Sequence, residues 1–440
     1  MNSQWRWITA SALALACFPS NGVAQQPLGI VDGARGRTID QLVALALEQA
    51  PTVLAARSAI DEARGQRRQA ASIPNPSVTS TWKEGVGGPD HEVGVDVQWP
   101  LNILRRHARI VTADQMIDVA SLSVQDRERL LAAGVREQAG RVLTAARIVA
   151  VTDELVALNR RSRSLLEARV KEGATPELEL NLVDVEVRRL EADRATQAAD
   201  AQAALIDLKA LVGLQPDAEL QLRDDLEQVV RAQAPPAQAS AEAAVSESVA
   251  ARPDVREGAA RVRLASARVE ESMQEGSFEW SLYGSYSRMA FGFPLRGLQA
   301  ETGSYLPIND VFHYVTIGAT VGIPLVNRNQ GAVAAAKAAQ LGAEHDARAR
   351  ELSARAELAA ATTRDREARR AMDLYASGIR DLSRRNLDVV REAYTLGRTP
   401  LFNVFEEQRR FLDIERAYTE ALSRAYDART SLRRALGDVQ

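Results

Sequence analysis

The apolar residues of this chain follow two periods, and the longer period predicts long helices. In residues 104–171 apolar side chains recur every three or four positions, and a second such series follows in the other half of the chain. This spacing is typical of a coiled coil, and small residues within it allow helices to approach closely. A continuous helix over 104–171 would be about 100 Å long. The series are Val135, Ala139, Val142, Ala146 and Val149, and then Leu382, Asn386, Val389, Ala393 and Leu396.

The shorter period, an alternation of apolar and polar residues, predicts four strands in two hairpins, at about 76–101 and 277–325. Each alternating run has about nine to eleven residues, the length of a tilted strand that crosses a bilayer, with aromatic residues near its ends. No other predicted element is left to cover the apolar faces, so we expect lipid to cover them. The alternative is the edge of a soluble β-sandwich. The clearest apolar faces are Val93, Val95, Val97 and Trp99, and Val315, Ile317, Ala319, Val321 and Ile323.

Short motifs occur twice, which indicates an internal duplication. The Gly-x-Thr-Pro sequence at 173–176 returns at 397–400, and the strand end at 97–101 returns at 321–325, both 224 residues later. An earlier motif, at 49–53, returns after only 202 residues, at 251–255. The second copy therefore holds 22 additional residues, which we assign to the Gly- and Pro-containing stretch 291–309.

Each copy is predicted to contain a helix, a β-hairpin, a very long helix, a tight turn and a returning helix. The first helix, at 39–71, is expected to break near Pro51. In the Gly-x-Thr-Pro turns the glycine suits a left-handed helix end, the threonine a helix N-cap and the proline the first helical position. The divisions are a signal peptide at 1–24, a first repeat at 25–230, a linker at 231–240 and a second repeat at 241–440.

Four strands cannot close a barrel, and strands in a membrane cannot leave an edge open. Two chains would supply eight strands, whose interior is filled by side chains, whereas three chains supply twelve strands around a pore. The expected fold is thus mainly α with a small membrane β part. We expect a homotrimer in contact with outer-membrane lipid, with a 12-stranded β-barrel that continues as an α-helical barrel in the periplasm.

The first 24 residues predict export, because Arg6 precedes an apolar run and small residues end at Ala24. Lipidation of Cys17 is an alternative that also implies export. The net charge of −3 gives no support for nucleic-acid binding. One cysteine and four scattered histidines predict neither a metal site nor a cofactor, and no catalytic motif predicts an enzyme.

The ordered duplication, the Pro-Asn-Pro sequence at 74–76, the Pro-Leu strand exits and the Gly-x-Thr-Pro turns together resemble the outer membrane efflux protein family, the TolC-like outer membrane factors. The run 323–331 further resembles the branch that is paired with heavy-metal resistance-nodulation-division (RND) pumps. The resemblance implies a passive channel in the outer membrane of a Gram-negative bacterium. It also implies two partners, a periplasmic adaptor and an inner-membrane RND-type pump.

The alternative function is a periplasmic adaptor protein of an efflux or secretion system, which the duplication disfavours. Whether the substrate is a metal ion, a drug or another small molecule is not defined by the sequence.

The resemblance also implies a periplasmic gate beside the two turns, where acidic side chains and a tyrosine narrow the entrance. Three symmetry-related carboxylates there would attract cations. The alternative is that the acids are solvated and favoured by the helix dipole. The matching positions are Glu179, Tyr394, Asn403 and Glu406, with Asn403 where the family often has an acid. The tip residues expected to contact the adaptor, unless they serve only the turns, are Gly173, Thr175, Pro176, Gly397, Arg398, Thr399 and Pro400.

Overall fold

The computed structural model describes residues 29–86, 90–101, 103–232 and 242–438. The predicted signal peptide, including Cys17, and most of the predicted linker lie outside these residues. The elements are α1 (Ile39–Gln49), α2 (Pro51–Ala71), β1 (Ser77–Glu84), β2 (His91–Pro100), α3 (Ile103–Lys171), α4 (Glu177–Val212), α5 (Leu226–Ala232), α6 (Glu242–Ala251), α7 (Pro253–Glu275), β3 (Glu279–Leu298), β4 (Tyr305–Gly322), α8 (Gln330–Leu374), a π-helical turn (Tyr375–Ile379), α9 (Arg380–Thr395) and α10 (Leu401–Leu436).

The same order of elements occurs twice. A helix leads into an antiparallel strand pair, a long helix follows, and a second helix returns, as α2-β1-β2-α3-α4 and as α7-β3-β4-α8-α9-α10. The helix α3 is continuous over 69 residues, which corresponds to about 100 Å. A proline opens both α2 and α7, since its fixed φ suits a first helical position and its missing N–H would be unpaired there anyway.

The four strands form one antiparallel sheet in the order β1-β2-β3-β4. The pairing of β2 with β3 joins the two repeats, for example through Val95 opposite Tyr286. The outer strands β1 and β4 form the two edges of this sheet. A single chain therefore presents two edges with backbone groups available for further pairing.

The second hairpin is longer than the sequence predicted. Strands β3 and β4 have 20 and 18 residues, against the nine to eleven expected, because the additional stretch 291–309 continues the pairing. A register shift between Phe293 and Arg296 accommodates it. Continued pairing satisfies backbone N–H and C=O groups that an open loop would leave to water, and Gly and Pro content alone does not reveal this.

The sheet has one apolar and one polar face, and the apolar face is exposed in the protomer. Trp82 is 70% exposed and Ile317 is 86% exposed. Among the described residues, the hydrophobic clusters consist of helix and loop side chains and include none from the four strands. On β3 the polar-face residues Ser281, Tyr283 and Ser285 are less exposed than the apolar-face residues Leu282 and Tyr286.

The coiled-coil series predicted for the second half lies on the protomer surface. Leu382 and Val389 on α9 and Leu396 at its C-cap are exposed, whereas Ser383 and Leu387 are buried. A hydrophobic period identifies a face that requires a partner, but it does not tell whether that partner is in the same chain.

The helical core contains an acid whose state depends on pH. Asp427 on α10 has a buried Oδ1 with no hydrogen-bond partner among the described residues. Burial, and then the nearby Glu137, raise the pKa of Asp427 to about 6, and Arg141 opposes this shift. The folded protein thus binds this proton more tightly than the unfolded chain does, so the group favours folding below about pH 4, and that contribution is lost as pH rises through about 6.

Replacing Asp427 by asparagine is therefore expected to stabilise the protein at pH 8 and to give no gain at pH 4. We expect about 1 kcal/mol at pH 8, allowing for partial solvent access. Urea unfolding at both pH values measures this difference. An equal change at the two pH values would contradict the assignment.

Candidate functional site

The two helical turns lie at one end of the long helices, and both have the same backbone geometry. Gly173 and Gly397 each have a φ of 70°, so the predicted left-handed helix ends are confirmed. Ala174 N–H donates to the Arg169 carbonyl at 2.9 Å, and Arg398 N–H donates to the Ala393 carbonyl at 2.9 Å. These bonds satisfy carbonyls that the ends of α3 and α9 would otherwise leave unpaired.

The prediction that the turn threonines cap the next helices was wrong. Pro176 and Pro400 occupy the N-cap positions, with no side-chain capping bond, and the threonines lie one residue earlier. The first turn of α10 is instead closed by a backbone hydrogen bond, in which Asn403 N–H donates to the Pro400 carbonyl at 3.1 Å. The φ of proline fits an extended N-cap, and this moves the helix start by one residue.

The structure brings together two of the predicted gate residues, which are 215 positions apart in the chain. The Tyr394 hydroxyl on α9 donates to Glu179 Oε2 on α4 at 2.7 Å. Burial, and then the hydrogen bond to Glu179, raise the pKa of Tyr394 to about 12. The phenol therefore stays protonated and remains a donor at neutral pH. Around this bond pack the apolar side chains Leu166, Val183, Val187, Leu401 and Val404.

The other predicted gate positions are not brought to this pair. Asn403 Nδ2 donates to Thr399 Oγ1 at 2.8 Å, and Glu406 Oε1 lies 3.5 Å from Arg409 Nη1 on the same helix. Arg398 is exposed at the tip. Within one protomer, 40% of the Glu406 side chain is exposed.

Sequence reasoning missed a second polar centre, which lies beside the π-helical turn between α8 and α9. The Tyr418 ring lies between two guanidinium groups, with the Cζ atoms of Arg147 and Arg380 at 5.3 and 5.1 Å from its centroid. Arg380 Nε donates to Glu415 Oε1 at 2.7 Å, and Arg147 pairs with Glu227 at 2.9 Å. The available signal was Ser377-Gly378 within a helical pattern, since Gly weakens a helix interior.

Among the described residues, no group of three or more His, Cys, Asp and Glu side chains could hold a metal ion. In the same part of the chain, no helix combines the length and the hydropathy needed to cross a membrane.

The duplicated helix–hairpin–helical-hairpin unit, its open four-stranded sheet and its paired tips define the protomer of a TolC-like channel fold. Residues 42–214 match the family described as "Outer membrane efflux protein". This part of the chain, which lies within the first repeat, is therefore similar to that family. The description of the family names an efflux function and the outer membrane.

Solved structures share this fold over nearly the whole chain. CusC has a TM-score of 0.73 at 16% identity, covering 94% of this chain and 96% of CusC. VceC from Vibrio cholerae has a TM-score of 0.68 at 17% identity, covering 91% and 96%. The open state of the MtrE outer membrane channel from Neisseria gonorrhoeae has a TM-score of 0.69 at 17% identity, covering 91% and 90%. No curated protein matches the chain.

Proposed function

We propose that this protein is the outer-membrane channel of a tripartite efflux system, in which a homotrimer passively conducts what an RND-type pump expels. A periplasmic adaptor links the channel to the pump. The observation that carries the proposal is the exposed apolar face of the four-stranded sheet. A soluble protein would cover such a face with its own helices, because burial of apolar surface drives folding.

The dimensions of this face support contact with lipid. From Phe278, just before β3, to Arg288 on the same face is a span of 10 residues. It measures about 33 Å along the strand and about 25 Å in height at the usual tilt, which matches the apolar band of membrane barrels. Trp82, Trp99 and Trp280 lie on this face near its ends, where aromatic girdles occur.

The two sheet edges and the exposed seam on α9 support a trimer. Pairing β4 of one protomer with β1 of the next would remove every open edge in a 12-stranded barrel. Leu382, Val389 and Leu396 follow a seven-residue spacing, which fits a helix of a neighbouring protomer.

The helical tips are the proposed gate and adaptor contact. The bond between Tyr394 and Glu179 ties α9 to α4 within each protomer, and an opening movement that separates these helices must break it. Gly173, Pro176, Gly397 and Pro400 are exposed beside it, where an adaptor could reach them.

The run 323–331 does not identify the substrate, because its residues have a structural role. Asn329 has a φ of 60° before α8, and its Nδ2 donates to the Ser272 carbonyl at 2.9 Å. The link to heavy-metal pumps therefore rests on resemblance alone.

Purified trimers in a planar bilayer are expected to conduct ions weakly, and Tyr394→Phe is expected to increase the open fraction. Loss of one hydrogen bond of about 1 kcal/mol in each of three protomers shifts the open-to-closed ratio by about a hundredfold. Tyr305→Phe, at the exposed first residue of β4, is the matched control and should conduct as the parent does. A monomer that stays soluble without detergent would contradict the proposed function. Conducting trimers with an unchanged open fraction in Tyr394→Phe would contradict only the gate.

A further inference from the structure

The polar face of the sheet contains an unexpected aromatic cluster at its outer end. We define the mouth cluster as Met289, Phe291, Phe312 and Tyr314. Register places all four side chains on the same face as Ser285 and Thr316, opposite the apolar face. The rings of Phe291 and Phe312 lie 6.1 Å apart edge to face, and those of Phe312 and Tyr314 lie 6.5 Å apart. All three rings remain substantially exposed in the protomer.

Residues on the apolar face indicate how deep in the membrane the mouth cluster lies. Arg288 and His313 are paired on the apolar side, adjacent in sequence to Met289 and Phe312. A cationic side chain on the lipid-facing side is favourable near the headgroups and costly at the bilayer centre. The mouth cluster therefore lies at the outer boundary of the membrane, on the polar side of the sheet.

Carboxylates border the cluster on the same face. Glu92 pairs with Met289 across β2 and β3, and Asp310 pairs with Phe291 across β3 and β4. Asp90 is adjacent, since its Oδ1 accepts from the Gly292 N–H at 2.7 Å. One ammonium lies in this group, Lys83, whose Nζ is 3.0 Å from Glu92 Oε2. The border is thus net negative.

Aromatic faces next to carboxylates favour one chemical class of ligand. A hydrated metal ion gains little from rings, whereas an organic cation with aromatic groups gains ring contacts, cation–π attraction and charge attraction together. We propose that the mouth cluster and its carboxylates form a binding surface for lipophilic organic cations at the outer mouth of the channel. This inference rests on the proposed function, because it requires the polar face to line a conduit. The competing role is packing alone, since cross-strand aromatic pairs also stabilise a hairpin.

Block by tetraphenylphosphonium, added on the side of the β3–β4 turn to trimers in a planar bilayer, tests this surface. Replacing both phenylalanines by leucine, in Phe291→Leu/Phe312→Leu, keeps apolar bulk but removes the rings. We expect the blocking concentration to rise about tenfold, with potassium conductance unchanged. Asp310→Asn should raise the blocking concentration of tetraphenylphosphonium by a smaller factor. Val311→Ala is the matched control, because Val311 is the next residue on β4 and lies on the opposite face.

The outcomes separate this inference from the proposed function. Conducting channels whose block is the same in the parent and in Phe291→Leu/Phe312→Leu would overturn the inference and leave the channel function standing. An equal loss of block in Val311→Ala would also overturn the inference, because the effect would then not depend on which face of the sheet carries the substitution. Parent protein that forms no channels would overturn both.

Discussion

An arginine in place of Ile317 is expected to prevent stable insertion of the protein into the outer membrane. Ile317 lies in the middle of β4, opposite Gly284, on the apolar face. An arginine at the midplane of a membrane barrel, facing lipid, costs about 2–4 kcal/mol, and a trimer carries three of them. The amount of folded trimer in purified outer membranes measures the effect, and we expect a nearly complete loss.

Thr316→Arg is the matched control for this prediction. Thr316 is the adjacent residue of the same strand and pairs with Ser285 on the polar face. The same added charge would there face water, so normal trimer yield and altered ion selectivity are expected. If Ile317→Arg inserted as well as Thr316→Arg, the two faces would have been assigned incorrectly.

Replacing Arg380 by alanine is expected to destabilise the helical part by about 3 kcal/mol. Glu415 is 3% exposed, and its Oε1 receives its hydrogen bond from Arg380. Without the guanidinium, the carboxylate would be left buried and uncompensated, and one side of the Tyr418 ring would lose its cation. Urea unfolding followed by far-UV circular dichroism measures the change.

Two further variants define the origin of that loss. Arg380→Leu/Glu415→Leu removes both charges and should recover most of the stability, since a buried ion pair is often replaceable by apolar residues. Arg424→Ala removes an arginine that pairs with Glu420 on the surface, so it should change stability by less than about 1 kcal/mol. A loss in Arg380→Ala no larger than that in Arg424→Ala would mean that water compensates Glu415.

Features with a local cause could be predicted from the sequence. Alternation along β2 and β4 identified the two sheet faces, because successive strand residues point to opposite sides. Gly173 and Gly397 identified the helix ends, because a left-handed residue there is usually glycine. Glu179 and Tyr394 were predicted through a family resemblance. Their hydrogen bond depends on the packing of four helices, and no local sequence pattern predicts that packing.

Features that depend on a distant partner were missed or misplaced. The continuation of β3 and β4 through 291–309 depends on pairing between the two strands rather than on composition. The mouth cluster follows from that register. The π-helical turn lies directly before Arg380, which contacts Tyr418 and Glu415 on α10. Propensity gives only a weak prior at such positions.

The central claim, that acyl chains cover the apolar face of the sheet, can be measured through the tryptophans of the protein. Of five tryptophans in the sequence, Trp5 and Trp7 fall in the predicted signal peptide, and the other three lie on the apolar face. Protein that starts at Gln25 can therefore be reconstituted in lipids with brominated acyl chains. We predict strong quenching of tryptophan fluorescence by these lipids and weak quenching by aqueous iodide. Strong quenching by iodide with none by brominated lipid would contradict the account.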